Sequence, residues 1–220
     1  MVASDTASGS ASGSRPASRS ASGSAPDALP TRQRLIRTTA RLLRKQGYAA
    51  TGLNQVMSEA DAPKGSMYFH FPGGKEELAA AGLEYFNDRV MARMADGLAR
   101  AGSVKEAVLR FLDDQMTYAA RTEYREGCAL AAVALDAASD HPGLAGVTRR
   151  SFAAWIDLFA EALEAEGQSP AEARQLASLI TVTLEGAVVL AKGMQSGEAV
   201  AAARDALDRL LSAPSEQAIV

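Results

Sequence analysis

Residues 53–75, LNQVMSEADAPKGSMYFHFPGGK, decide the fold. Leu53, Val56, Met57 and Ala60 recur at the spacing of one apolar helix face. Asp61-Ala62-Pro63 then interrupts the pattern. Pro63 suits the opening of a second helix, because the first helical position has no hydrogen bond to lose. Pro72 forces Phe71 towards extended geometry and ends that helix after about two turns. The spacing therefore predicts two short helices joined by a tight turn, a helix-turn-helix. A second helix ending in Tyr-Phe-His-Phe and a Gly-Gly-Lys turn is poor core material, with only Met67 and Phe71 facing inward. It suits insertion into a groove of nucleic acid.

Charge points the same way. Residues 31–75 carry eight Lys/Arg against Glu59 and Asp61, a net of +6, whereas residues 76–220 carry a net of −9. The overall −3 thus hides a basic head on an acidic body, the asymmetry of a polyanion-binding module joined to something that does not bind polyanions. Arg32, Arg34, Arg37, Arg41, Arg44 and Lys45 taken alone read by default as a solvated helix face. The helix-turn-helix that follows them gives the run its weight.

From Gly47 to Leu78 the sequence GYAATGLNQVMSEADAPKGSMYFHFPGGKEEL resembles the DNA-binding signature of the TetR family of bacterial transcriptional repressors, of the TetR/AcrR type. Lys64 to Phe71 match the family's K-G-S/T-apolar-Y-x-H/Y-F, and Lys75 to Leu78 its K-E-E-L. Asp61 stands where the family usually has Gly in the turn, and Pro63 where it usually has a capping Ser or Thr. Asp tolerates left-handed backbone better than most residues, so the turn is expected to survive. Gly73-Gly74 and Gly127-Cys128-Ala129-Leu130 resemble the LmrA/YxaF-like branch, which usually has Pro where Ala129 sits.

The resemblance implies DNA contacts by Thr51, Lys64, Gly65, Ser66, Tyr68, His70 and Lys75. Lys64 would donate to guanine O6 or N7, or to phosphate, and Ser66 to either. Tyr68 and His70 suit phosphate or sugar, Lys75 beside a helix N-terminus suits phosphate, and Gly65 permits close backbone approach. The partner implied is a double-stranded, palindromic operator, read by two heads about one helical turn of DNA apart.

The remainder reads as all-α, about nine helices in all. Few aromatics, abundant alanine and no β-branched runs exclude a sheet protein. Residues 1–29 are Ser, Ala and Gly with near-repeats of ASGS, a composition expected to be disordered. They lack the apolar segment of a secretory signal. Arg15 and Arg19 suit either a passive tail or an arm reaching a minor groove. A DNA-binding domain is expected over 30–76 and an effector-binding and dimerisation domain over 77–220. Thr31 to Gln46 reads as the first helix, facing inward with Leu35, Ile36, Thr39 and Leu43; Gly47 ends it and Tyr48 packs on the two following helices. A long helix follows from Lys75 to about Ala101. Its row Leu78, Gly82, Phe86, Val90, Met94, Leu98 winds about 40° per step, so its start should pack on the head and its end on the body.

Ser103-Val-Lys-Glu106 and Ser169-Pro-Ala-Glu172 are capping boxes. The first opens a fifth helix, with Val104, Val108, Phe111, Leu112 and Met116 inward. A sixth spans Cys128 to Ala138, and a seventh runs from Leu144 to about Ala165, after a break at His141-Pro142-Gly143. The second box opens a helix to about Met194 that is apolar on more than one face, and a last helix covers about Gly197 to Ser212. Arg174, Gln175, Thr181, Thr183, Glu185 and Lys192 interrupt the eighth helix too often for a membrane span. One face is expected on its own subunit and one on a partner, giving a homodimer through residues about 170–211, with Gly186 and Gly193 allowing close approach.

No catalytic set emerges. Cys128 and His141 do not make a metal site, a single cysteine fits a reducing cytoplasm, and no cofactor is expected. The resemblance places a largely apolar effector pocket in the body, for which Phe111, Met116, Trp155, Phe159 and Glu185 are the candidate residues. Glu185 suits a polar ligand group or an interface hydrogen bond equally. LmrA-like relatives respond to drug-like or flavonoid compounds, so a small lipophilic or aromatic effector is expected. The reading is a repressor released by such a ligand; the alternative is an architectural DNA-binding protein without an effector, and an enzyme is excluded for want of a nucleophile–base pair.

Overall fold

The computed structural model describes residues 29–63, 65–137 and 139–212. Residues 1–28 of the expected tail, including Arg15 and Arg19, and Lys64 on the recognition segment lie outside them. The described residues form nine helices: α1 Thr31–Gln46, α2 Leu53–Glu59, α3 Ser66–His70, α4 Gly74–Arg100, α5 Val104–Arg121, α6 Ala129–Asp136, α7 Pro142–Ala165, α8 Pro170–Met194 and α9 Glu198–Leu210.

Two apolar clusters organise them. The head cluster joins Leu35, Ile36 and Leu42 of α1, Val56 of α2, Met67 and Phe71 around α3, and Leu78 of α4. The body cluster runs through α4 to α9 and draws in Leu43, Tyr48, Ala79 and Leu83. Helices α1 and α4 therefore each bury side chains in both cores. The winding row of α4 does what its four-residue step requires: Leu78 packs in the head, and Val90 and Met94 in the body. Where α1 and α4 meet, Gly82 makes room. A Cβ there would stand 3.0 Å from Thr39 Cγ2 and 3.2 Å from the Ala40 backbone nitrogen.

Local chemistry sets the helix ends. Ser169 Oγ accepts from the Glu172 N–H and the Glu172 side chain returns to the Ser169 N–H, a complete capping box. Only half of the first expected box forms. Ser103 Oγ accepts from the Glu106 N–H, but Glu106 Oε2 reaches past the cap to the Gly102 N–H, 2.9 Å away. Helix α7 begins at Pro142 with His141 as its cap, earlier than expected, because proline is tolerated in a first turn. Pro63 does not open α3. It lies in the turn, its carbonyl accepting from the Ser66 N–H at 2.9 Å, and the helix begins at Ser66.

Helix α8 carries two apolar faces. Ala173, Ala177, Ile180, Leu184, Ala187 and Ala191 are buried in the body, whereas Leu179, Val182, Val189, Leu190 and Met194 are exposed. With a mean hydropathy of 1.5 over its most apolar 18 residues it is long and apolar enough to cross a membrane by length and composition alone, yet one face is already packed in a helical body.

Two glycines inside α4, Gly82 and Gly97, give opposite predictions. Gly97 has open space around its missing Cβ, so Gly97→Ala should stabilise by roughly 0.5–1 kcal/mol through helix propensity. Gly82→Leu should destabilise by about 1–3 kcal/mol or more through overpacking against α1. Urea midpoints of the two variants check both signs.

Candidate nucleic-acid interface and body cavity

The turn between α2 and α3 is held from α1. Arg34 donates from Nε to the Ala60 carbonyl at 2.9 Å, from Nη2 to the Asp61 carbonyl at 2.7 Å and from Nη1 to the Leu29 carbonyl at 2.9 Å. A guanidinium at a helix C-terminus satisfies carbonyls that have no partner within the helix. Asp61 adopts the left-handed backbone expected of it, with φ 49°. Met67 and Phe71 are buried, and that turns the opposite side of α3 to solvent.

On that side Tyr68 is 64% and Phe69 82% exposed. Ser66 and His70 are half-buried, and Gly65 is exposed with open space at its Cβ position. His70 stacks edge-on against Phe69, ring centroids 5.0 Å apart. Phe69 was not among the sequence candidates; its signal was its place one residue from Tyr68 and two from buried Phe71 on so short a helix. Thr51 needs correction. It is 3% exposed and its hydroxyl donates to the Gly47 carbonyl at 2.5 Å, so it fixes the turn after α1 and offers DNA no open face. Lys75 is half-committed: its Nζ lies 4.2 Å from the Tyr48 ring centroid and 3.3 Å from the Ala49 carbonyl.

The basic run is more divided than an outer face of phosphate contacts. Arg34 is taken by the turn, Arg41 pairs with Glu59, and Arg44 points into the body. Arg37 and Lys45 are exposed and make no ion pair among the described residues.

The C-terminus of α1 is gripped by the body. Lys192 Nζ donates to the Arg44 and Lys45 carbonyls, each at 2.9 Å, and the Gly127 N–H reaches the Arg44 carbonyl at 3.1 Å. Asp136 Oδ2 accepts from the Tyr48 and Ala49 N–H groups at 2.8 and 3.1 Å. Tyr48, expected against the two helices after it, lies instead on Lys75 and edge-on to His141, ring centroids 4.7 Å apart. His141 in turn meets Glu76 Oε2 at 3.0 Å. His141 and Cys128 are thus engaged at different places, His141 with the start of α4 and Cys128 with Glu185.

Behind this joint lies a cavity of about 470 Å³ between α1, α4, α5 and α8, a volume that suits a small organic molecule. Of the expected lining residues, Phe111, Trp155 and Glu185 border it. Trp155 is fixed by a 2.9 Å hydrogen bond from Nε1 to Asn87 Oδ1. Met116 and Phe159 do not border it. Met116 packs against Gly197 at the start of α9, and Phe159 is core, because their positions on α5 and α7 turn them to other neighbours. Sequence reasoning missed the polar wall. Arg44 donates to Tyr118 Oη at 2.8 Å and the Gly127 carbonyl at 3.0 Å, and stands 3.3 Å from Glu126. Burial raises the Tyr118 pKa and lowers that of Lys192. Opposite, the Glu185 carboxyl lies beside Cys128, and its buried Oε2 accepts no hydrogen bond among the described residues. Burial pushes the Glu185 pKa up to about 7, and burial with the neighbouring Glu185 charge pushes the Cys128 thiol well above its ordinary value.

The model of bacterial regulatory proteins of the tetR family matches residues 35–81, and that of the transcriptional regulator LmrA/YxaF-like C-terminal domain matches residues 104–206. The HTH-type transcriptional regulator YxaF of Bacillus subtilis (strain 168) is 34% identical over 73% of this chain and 84% of its own length. The chain belongs to the TetR family. Its LmrA/YxaF-like body extends the likeness: LmrA of the same organism is 29% identical over 73% of this chain and 85% of LmrA. Among solved structures, a TetR regulator from Chloroflexus aurantiacus J-10-FL is 30% identical, with a TM-score of 0.70 over 83% of this chain and 94% of that one. A cysteine mutant of the TetR-family regulator CifR, complexed with 26-bp double-strand operator DNA, shares the fold at 21% identity and a TM-score of 0.71 over 87% of this chain and all of its own. As a TetR-family member the protein is a DNA-binding transcriptional regulator and not an enzyme.

In this TetR body the raised pKa of Glu185 makes stability depend on pH. Below the unfolded value of 4.5 both states are protonated and there is no penalty. Between 4.5 and about 7 the unfolded chain releases the proton while the folded chain keeps it, so stability falls; above that window the loss approaches ~3 kcal/mol. Glu185→Gln should therefore raise the urea midpoint markedly at pH 8 and little at pH 5. Equal shifts at both pH values would contradict the buried, raised carboxyl.

Proposed function

We propose that this TetR-family protein is a homodimeric, cytoplasmic repressor, associated with the nucleoid, that binds a palindromic operator and is released by a small lipophilic or aromatic ligand. The observation that carries the reading is the cavity at the joint itself. Arg44 belongs to α1 of the head, yet its guanidinium forms part of the cavity wall. A ligand that displaced Arg44 from Tyr118 and Glu126 would act directly on the helix that carries the reading head. Such a ligand shifts the equilibrium only by its differential affinity for the two arrangements. The cavity favours this reading over an architectural protein without an effector.

The domain division follows the same logic, with residues 30–76 as reading head and 77–220 as effector-binding and dimerisation body. On the head, Gly65, Ser66, Tyr68, His70 and Lys75 remain the contact set, Phe69 joins them as an apolar contact for a thymine methyl or a sugar, and Lys64 is assigned from sequence alone. Dimerisation is supported by the exposed face of α8. Leu179, Val182, Gly186, Val189 and Gly193 lie on one stripe at helical spacing, and neither glycine has an atom within 4 Å of its Cβ position. Two helices meeting along small residues approach closely, and paired heads reach successive major grooves.

The test is fluorescence anisotropy with the DNA upstream of its own gene at two salt concentrations, followed by a screen of aromatic compounds for release. Tight, palindrome-dependent binding undone by one compound is the expected result; binding without sequence preference contradicts the reading. Val182 is 68% exposed, so Val182→Glu should leave the fold intact, give a monomer by light scattering and abolish tight operator binding. Phe69→Ala should retain the dimer and weaken operator binding by at least about tenfold, the scale of a lost contact in each half-site.

A further inference from the structure

Residues 191–193 bring three surfaces together within one turn of α8. Successive helical residues point about 100° apart. Ala191 is buried in the body core, and Lys192 reaches the end of α1. Gly193 lies with Val189 on the exposed stripe, with no atom within 4 Å of its Cβ position. Lys192 is thus the point at which the helix of the proposed dimer face touches the reading head. Its ammonium donates to two consecutive carbonyls, those of Arg44 and Lys45, each at 2.9 Å. Two anchor points restrain the rotation of α1 as well as its position. Gly127 makes room for the lysine stem, since a Cβ there would stand 3.1 Å from Lys192 Cδ. The other polar contacts to this end of the head come from Gly127 and Asp136, both outside α8.

We propose that Lys192 is a positioning residue for operator binding: by clamping the end of α1 to α8 it sets the separation of the two reading heads, and with it the half-site spacing that the protein accepts. This rests on the homodimer through α8 proposed above. In such a dimer the two α8 helices are fixed against each other, so a head tied to α8 is tied to its counterpart. DNA makes the tolerance small. One added base pair carries the second half-site about 3.4 Å along the axis and about 35° around it. A head released from Lys192 is still held by Leu43, Tyr48, Ala79 and Leu83 against the body core, so it keeps its fold and its base contacts. What it loses is a fixed distance to the other head. Half-site recognition by α3 and spacing selectivity by Lys192 are therefore carried by different residues and are separable by substitution.

The test is selection from a randomised double-stranded DNA library by the full-length protein, read by sequencing. Fluorescence anisotropy then follows on the enriched duplex with one base pair inserted or removed between the half-sites. The wild type is expected to enrich paired half-sites at one spacing and to bind the altered duplexes at least about tenfold more weakly, the scale of one mismatched base pair. Lys192→Met keeps the aliphatic stem and removes the donors. It should enrich the same half-site sequence at several spacings, with the penalty reduced to within about threefold. Lys192→Arg keeps donors on a long stem and should restore most of the penalty. Gly127→Val crowds the stem without touching the amine and should broaden the spacing as the methionine does, which keeps the test decisive if the methionine variant fails to fold. A methionine variant that remains a dimer by light scattering and keeps the wild-type penalty overturns the assignment. Loss of the half-site preference together with the spacing overturns it as well, because the head itself has then been disturbed. Wild-type protein that enriches no paired half-sites strikes the dimeric reader itself, and the role of Lys192 falls with it.

Discussion

The end of α1 depends on polar groups supplied by the body, and the rest of the structure depends on that grip. A helix C-terminus leaves carbonyls without intrahelical partners. Here the Lys192 ammonium and the Gly127 N–H take those of Arg44 and Lys45, while Asp136 takes the N–H groups of the turn that follows. These contacts come from the ends of α6 and α8 and the segment before α6, so three parts of the body meet at one turn of the head. The grip is polar and partly exposed, and it stands beside the apolar seam that Leu43, Tyr48, Ala79 and Leu83 make with the body core.

Around that joint the chain distributes its charges by position. Residues that look equivalent in the basic run have separate duties: Arg34 braces the helix-turn-helix, Arg41 ties α1 to α2, and Arg44 closes the cavity wall. The reading surface that remains is small and aromatic, with Tyr68 and Phe69 outermost. Its orientation is set from behind, by Met67 and Phe71 in the head core. The cavity is likewise a consequence of sharing. Helices α1 and α4 each serve two cores, and where the two cores part company between them a space is left, lined by Arg44 on one side and Glu185 on the other.

Much of this was legible in the chain. The helix-turn-helix, the long α4 and its winding row, the Ser169 cap and the two-faced α8 follow from local rules: periodicity, proline geometry and capping act within a few residues. Other readings failed where a distant partner decided. Pro63 fits a first helical turn, yet α3 begins only at Ser66, whose N–H donates to the Pro63 carbonyl, while Arg34 holds the Asp61 carbonyl before it. Thr51 lies inside the family signature, yet the turn folds its hydroxyl back onto Gly47. Glu106 satisfies an N–H one residue beyond the cap.

The sequence by itself determined the helical content, the basic head with its reading motif, and the family, since each is written in residues close together along the chain. Tertiary structure alone decided which side chains enclose the cavity. Met116 and Phe159 match the pattern of lining residues and Arg44 and Cys128 do not, yet Arg44 and Cys128 border the space. Periodicity says which face of a helix is buried but not against what. The neighbour across the interface, Lys192 for Arg44 and Glu185 for Cys128, is supplied by residues more than fifty positions away.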